Sequence, residues 1–390
     1  MKTKQYSPLY FLAALWPGWM SIWFFMYLMF MTKHSVIEWK TVPIPTFESI
    51  TSAFSDWGLA MKAMIIFALV WIIYFAFQHI KLLIWNIKKF NKFKKSEVFE
   101  EFKWGNKAVQ LMTYPLTLAM TVNVFFVIWA VFVPSLWSVI EYLFPMALIA
   151  FGVIWIMALR TFWAYMTKLL TTHSLDFVKN NNLGQMLSIF AFVMVWVWFA
   201  ASAAMSNEKI TVILGLLGST FFMTIAIFFW IIKIILGMKS IFEHWLDKET
   251  SPTIWVIIPL LTLIWITSIR QDHWLHETFS AHSDKISTLI FITALGSLQL
   301  IFGYIWNKVM KSNWYFDEYL NWNKKSPWSF ALICPWVALI VFSFFFLHTG
   351  LVANEIIPKF GIAYFILLSP IIYLQFITIR TMFKLNKKMF

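Results

Sequence analysis

The chain contains one cysteine, Cys334, and its thiol is the first candidate for chemistry. Cys334 directly precedes Pro335 in the apolar run ICPWVALIV, where no neighbouring histidine or lysine favours a thiolate. A single cysteine excludes an internal disulfide and a thiolate metal cluster. Two roles stay open: thiol-dependent redox chemistry, or a small side chain that widens a passage between helices, since buried cysteine usually behaves as an unreactive apolar residue.

A second candidate is the segment RQDHWLHE, which runs from residue 270 to residue 277. His273, His276 and Glu277 fall within about one helical turn, and imidazole and carboxylate groups bind zinc or copper. Their spacing matches no established metal motif, and phosphate-binding and dinucleotide-binding glycine patterns are missing from the sequence. We therefore expect no metal, no cofactor and no enzymatic activity. These three side chains are the candidate ligands for the alternative, in which a metal binds.

The composition is that of an integral membrane protein. Of the 390 residues, 61% are hydrophobic and 13% are charged, whereas soluble domains carry about a quarter charged residues. A soluble enzyme and a disordered chain are excluded. Ten segments are long enough to cross a membrane as helices, and we assign them to one domain, residues 1–390. They lie at about residues 8–32, 59–86, 108–133, 137–165, 185–206, 209–237, 252–270, 287–308, 328–350 and 360–381.

Proline recurs at one register of the odd-numbered segments, which indicates a repeated unit. Pro17, Pro115, Pro259 and Pro335 occupy this register, and Ala191 takes the same place in the fifth segment. A proline inside a helix removes a backbone hydrogen bond and bends the helix. The sequence therefore predicts an all-α membrane fold of five quasi-repeated hairpins. Their odd helices are kinked around a central pore, and their even helices face lipid.

The residues that precede this register predict an apolar constriction. They are Trp16, Tyr114, Phe190, Ile258 and Cys334, four bulky side chains and one small one. Apolar constrictions close a pore by steric block and by excluding water. The alternative is a packed core without a pore, because aromatic side chains at helical spacing commonly only pack.

Basic residues predict the orientation of the chain. The two termini, the loops that follow even segments and the adjoining ends of those segments hold 24 of the 31 Lys and Arg residues, and the opposite side holds seven. By the positive-inside rule both termini are cytoplasmic, and we expect a multi-pass protein of a bacterial inner membrane. The net charge of +13 then reflects topology. We expect the basic loop 81–107 to contact anionic lipid rather than nucleic acid.

Cationic side chains stand at the outer ends of the odd segments. They are His34, Arg270, His273 and His348. If they line one vestibule, they attract anions; ordinary polar capping of helix ends is the alternative. No Asp or Glu lies deep inside a segment, which argues against a proton-coupled pump and against a cation channel.

The segment SPWSFALICPWVALIVFSF, at residues 326–344, resembles the ninth helix of the TehA-like tellurite-resistance/dicarboxylate transporter family. This family includes the plant slow-type guard-cell anion channels. The resemblance implies five hairpins around a quasi-fivefold pore and a homotrimer of independent pores. In the family a phenylalanine before this proline plugs the pore, and this chain has Cys334 there. The chain also resembles the TsoY family of (seleno)proteins, in which a cysteine or selenocysteine is the distinctive residue.

These observations predict a passive membrane channel or uniporter for a small anion or small solute, gated at the constriction. The expected partners are membrane lipid, the transported solute and two further copies of the chain, without nucleic acid. The alternative is a redox-active membrane protein that depends on Cys334. A third class is a receptor-like module that uses the basic loop 81–107 as its docking surface.

Overall fold

A computed structural model describes residues 6–37, 40–103, 105–171, 181–279 and 284–390. Within these ranges the protein is almost entirely helical, and ten helices are long and apolar enough to cross a membrane, as predicted. The α-helices are α1 (Phe11–Met31), α2 (Phe47–Asp56), α3 (Leu59–Phe93), α4 (Glu97–Phe102), α5 (Thr113–Phe132), α6 (Ile140–Thr171), α7 (Leu187–Met205), α8 (Lys209–His244), α9 (Ile257–Phe279), α10 (Lys285–Ser312), α11 (Ile333–Phe345) and α12 (Ile362–Met389). Two short strands, β1 (Val36–Ile37) and β2 (Lys40–Thr41), pair in antiparallel fashion.

The membrane-spanning helices divide into two sets by burial. The inner helices α1, α5, α7, α9 and α11 bury between 56% and 89% of their most apolar stretch. The outer helices α3, α6, α8, α10 and α12 bury only 22% to 28% of theirs. Apolar side chains that stay exposed on a helix of this length belong in lipid. The predicted assignment of odd helices to the inside and even helices to the outside is confirmed.

The inner helices form a closed ring. Each of them packs against the next inner helix along the chain, and α11 packs against α1 to close the circle. The outer helices α3, α8, α10 and α12 each pack on the inner helix that precedes them, while α6 packs on both α5 and α7. Five consecutive hairpins around one ring therefore describe the fold.

A short 3-10 helix precedes every inner helix. These segments are Pro8–Tyr10, Asn106–Met112, Gly184–Met186, Ser251–Val256 and Pro327–Leu332. They contact one another in the same cyclic order as the inner helices, so they form a second closed ring. We call the end of the molecule that carries this ring the basic end, and the end at which the inner helices finish the far end.

The prolines of the register lie at a defined place in their helices. Pro115, Pro259 and Pro335 are each the third residue of their α-helix, directly after a 3-10 segment. Each of these α-helices continues directly from its 3-10 segment, and a proline has no N–H that could bond back to that segment. Three of the four register prolines therefore mark a change of helix type. Of the four, only Pro17 lies beyond the first turn of its α-helix.

The far end carries a strand pair and a helix that the sequence did not predict. The strands β1 and β2 and the helix α2 lie between α1 and α3. Thr46 and Ser49 form a reciprocal capping box at the start of α2, which satisfies two otherwise unpaired N–H groups. The backbone N–H of Ser135, in the turn between α5 and α6, donates to Oε1 of Glu48 at 2.6 Å. This bond ties α2 to the neighbouring hairpin.

Candidate functional site

A cleft of about 360 Å³, a volume that includes its open mouth, lies at the basic end. Its walls come from α1, α7 and α11 and from the 3-10 segments that precede α7, α9 and α11. The residues that line it are Leu12, Trp16, Leu183, Gly184, Leu187, Phe190, Pro252, Thr253, Val256, Trp328, Ala331 and Cys334. Since four of the five hairpins contribute to one cleft, the cleft lies inside the ring of inner helices.

Three of the five predicted constriction residues meet in this cleft. Trp16 of α1, Phe190 of α7 and Cys334 of α11 all line it, and they are 2%, 1% and 7% exposed. Each of them directly precedes the proline register of its helix. Two aromatic rings therefore face the cleft together with one small side chain, which is the arrangement expected of a narrow passage with one thin wall.

The other two constriction residues point elsewhere. The ring of Tyr114 packs on Phe11 and Phe90, with centroids 5.0 and 5.3 Å apart, and lies below the ammonium group of Lys94. Ile258 faces α10. A Cβ added to Gly303 of α10 would lie 3.7 Å from Cδ1 of Ile258. Val256 lines the cleft from this hairpin instead.

The wall of the cleft is apolar. Its hydroxyl group, on Thr253, donates to the carbonyl oxygen of Thr250 at 2.7 Å and accepts from the N–H of Leu183 at 3.1 Å. Trp16 adds an indole N–H that is buried and finds no acceptor among the described residues. No acidic side chain lines the cleft, so it offers nothing that favours a cation.

A buried lysine stands directly behind the cleft wall. Lys233 of α8 is 8% exposed, and its Nζ donates to Oε1 of Gln185 at 3.4 Å. The hydroxyl of Tyr165 donates to the same oxygen, and the ammonium group lies 5.4 Å from the centre of the Tyr165 ring. Gln185 adjoins Gly184, which lines the cleft.

The predicted outer vestibule is divided between two places at the far end. Nη1 of Arg270 donates to the carbonyl oxygen of Val197 at 2.7 Å, and the guanidinium lies over Trp198. His34 and His348 lie together at the end of α1, where His34 contacts the carbonyl oxygen of Met29. The ring of His348 stacks on Phe30 with centroids 4.5 Å apart.

Both histidines have their ring nitrogens engaged by the protein. The nitrogens of His34 face the carbonyl oxygens of Met29 and Val42 at 2.8 and 2.9 Å. A neutral imidazole has one N–H, so it donates to only one of these acceptors at a time. In His348, Nδ1 donates to the carbonyl oxygen of Phe344 and Nε2 accepts from the hydroxyl of Tyr364 at 2.9 Å.

The metal candidates remain a prediction. The side chains of His273, His276 and Glu277 lie outside the described part of the structure. The predicted place of His273 in the vestibule falls outside it for the same reason. Among the described residues no group of three His, Cys, Asp or Glu side chains is placed to hold a metal ion.

Sequence reasoning missed Lys233 and the cleft residues of the 3-10 segments. A signal for Lys233 was present, because it interrupts the apolar run FFWIIKIILG near the end of the sixth segment. Pro252, Val256 and Trp328 gave no such signal, since their position depends on how the 3-10 segments meet. Comparison with protein-family models, curated proteins and solved structures found no match to this chain.

Proposed function

We propose that this protein is a passive channel or uniporter for a small anion or small solute. The observation that carries the proposal is the apolar cleft inside the ring of inner helices, where Trp16, Phe190 and Cys334 converge. A ring of helices with an apolar narrowing is suited to gating by steric block and dewetting. The carboxyl-free cleft wall favours an anion or a neutral solute over a cation.

The orientation and assembly belong to the same proposal. The basic end carries Lys88, Lys89, Lys92 and Lys95 on the last turns of α3 and just after it, and the positive-inside rule makes this end cytoplasmic. The protein then lies in a bacterial inner membrane with both termini inside. The resemblance to the tellurite-resistance/dicarboxylate transporter family supports a homotrimer in which each chain has its own pore.

Anion flux from proteoliposomes tests the proposal. Cys334→Phe restores the bulk that the thin wall lacks, and we expect it to abolish flux. Cys334→Ala keeps the wall thin, and we expect flux similar to the wild type. Ile258→Val is the matched control, because Ile258 occupies the same register in α9 but faces α10.

The outcomes separate the proposal from its rival. If wild-type protein carries no anion at acid or neutral pH, the channel proposal is wrong. If flux requires the thiol, so that Cys334→Ala is as inactive as Cys334→Phe, the redox function that depends on Cys334 becomes the better account.

A further inference from the structure

We infer that a second cavity, just after α10, binds the headgroup of a phospholipid that carries a primary ammonium group, as phosphatidylethanolamine does. Lys311 holds the phosphate and Asp317 holds the ammonium group, and both side chains line this cavity. The inference concerns the contact of the protein with its membrane, so it is independent of the proposed function.

The first step is the place of the cavity. Its volume is about 610 Å³ with its open mouth included, and it is lined by Lys311, Trp314, Phe316 and Asp317. Lys311 belongs to the last turn of α10, and a π-helical segment, Phe316–Asn321, supplies the opposite wall. The turn between them holds Trp314 in the left-handed conformation, with φ at 55°. The cavity therefore lies at the basic end, where an outer helix leaves the membrane.

The second step is that this place is at the level of lipid headgroups. Leu300, Ile301 and Ile305 are exposed in the second half of α10, which is an outer helix. Exposed apolar side chains on such a helix face acyl chains. The indole of Trp314 follows the helix and is also exposed, and tryptophan is enriched where hydrocarbon meets headgroups. A lipid whose acyl chains lie along α10 has its headgroup beside the cavity.

The third step is that the cavity holds two opposite charges that are not paired. The ion pairs among the described residues include neither Lys311 nor Asp317. Oδ1 of Asp317 accepts from Nδ2 of Asn321 at 3.3 Å, and Oδ2 has no donor among the described residues. By contrast, the adjacent carboxylate of Glu318 is bound by two lysine ammonium groups at 2.6 Å each. The cavity leaves one cation and one anion available to a ligand.

The fourth step identifies the ligand by its charges. A phosphodiester is an anion that Lys311 binds, and a primary ammonium group donates an N–H bond to the free oxygen of Asp317. Two carbon atoms join these groups in an ethanolamine headgroup, so a single molecule bridges the two walls. Trp314 and Phe316 add aromatic rings, which attract an ammonium group.

Other ligands that carry phosphate fit the cavity less well. A glycerol headgroup has no cation, so Asp317 repels its phosphate without a compensating contact. A choline headgroup has a cation without N–H groups to donate. Inorganic phosphate has neither an ammonium group nor acyl chains that lie on α10. Asp317 therefore sets the preference for an ethanolamine lipid over a glycerol lipid, whereas Lys311 serves both.

Native mass spectrometry of the purified full-length protein in detergent tests the inference. The protein is titrated with dioleoyl lipids that carry ethanolamine, glycerol or choline headgroups, and the bound fraction of each lipid is measured. Asp317→Asn removes the negative charge and keeps the size of the side chain, and Lys311→Met removes the positive charge. Lys239→Gln is the matched control, because Lys239 lies near the same end of another outer helix, α8, and is paired with Glu243 at 3.7 Å.

We expect the wild type to bind the ethanolamine lipid most tightly. Asp317→Asn should lower the ratio of bound ethanolamine lipid to bound glycerol lipid about fivefold, because only the ethanolamine lipid loses a contact. Lys311→Met should weaken both lipids about threefold and leave their ratio unchanged, and Lys239→Gln should match the wild type. An unchanged ratio in Asp317→Asn, or a wild type that binds the three lipids equally, overturns the inference.

A competition experiment separates the lipid from a free phosphate compound. An excess of inorganic phosphate is added to wild-type protein that carries the ethanolamine lipid, and we expect the lipid to stay bound. Displacement of the lipid contradicts the inference and makes the cavity a site for free phosphate. If a variant does not fold, as judged by its melting temperature, the preference of the wild type among the three lipids still decides.

Discussion

The two ends of the helix ring are built differently. At the basic end three of the five 3-10 segments line a cleft that is open and apolar, with the buried side chain of Lys233 behind its wall. At the far end α2 packs against α3 and α5, and His34, His348 and Arg270 are tied to backbone carbonyl oxygens. Polar side chains tie elements together at both ends, and the basic end in addition holds the apolar cleft. The difference places the proposed narrowing at the basic end.

The largest effect is expected from removing a tryptophan side chain from the cleft wall. Trp16→Ala leaves a large gap beside Cys334, and we expect anion flux to rise by about tenfold. The free energy of unfolding falls by about 3–5 kcal/mol, because a buried tryptophan is lost. Flux in proteoliposomes and thermal unfolding in detergent measure the two effects. Unchanged flux in folded Trp16→Ala protein would show that the narrowing lies elsewhere.

A smaller effect is expected where α1 approaches α3 and α5 most closely. A Cβ on Gly18 would lie 2.5 Å from Cγ of Met120 and 2.9 Å from Nδ1 of His79. We expect Gly18→Ala to destabilise the protein by about 1–3 kcal/mol, the usual cost of overpacking. Gly152→Ala is the control, because nothing lies within 4 Å of a Cβ there, and it should stabilise α6. Equal melting temperatures for the two variants would refute the close packing.

A change at the far end should affect stability and leave flux alone. Tyr364→Phe removes the hydroxyl that donates to Nε2 of His348, at a cost of about 1 kcal/mol. Because this pair lies far from the cleft, we expect the flux to stay within about twofold of the wild type. A tenfold change in flux would place a gate at the far end and reverse the comparison of the two ends.

The smallest effect concerns pH at the basic end. Hydrogen bonds from Lys248 and Lys324 lower the pKa of Glu318 below its ordinary value of 4.5. A lowered folded-state pKa means that Glu318 stabilises the protein above about pH 4.5 and that this contribution is lost as the pH falls through the folded-state value. The melting temperature of wild type should therefore exceed that of Glu318→Gln at pH 7, and the gap should close on acidification. A gap that does not shrink as the pH falls below 4.5 would contradict these ion pairs.

Much of the fold follows from the sequence, because lipid leaves an apolar segment few choices. The ten helices and the inner position of the odd ones were predicted from hydropathy and from the proline register. Helix ends were predicted less well. The second segment was expected to stop near residue 86, but α3 continues to Phe93. Residues with good helix propensity continue a helix beyond the hydrocarbon layer, so hydropathy alone does not give its end.

The candidate site was predicted only in part. Trp16, Phe190 and Cys334 meet as the register suggests, whereas Tyr114 and Ile258 do not. The face that an inner helix turns towards the cleft depends on how it packs against its outer neighbour. Ile258, which lies beside Gly303 of α10, is an example. Such pairings cannot be derived from one segment alone. The helix α2 was missed because its ten residues are polar enough to pass for a loop.

Cys334 offers the most direct test of the central claim, because it is the only cysteine in the chain. A membrane-impermeant methanethiosulfonate reagent that carries a sulfonate group can be applied to right-side-out and inside-out vesicles. We predict that the reagent modifies Cys334 and blocks anion flux only when it reaches the basic end, and that Cys334→Ala is insensitive. Complete modification of Cys334 with undiminished flux would contradict a pathway through this cleft.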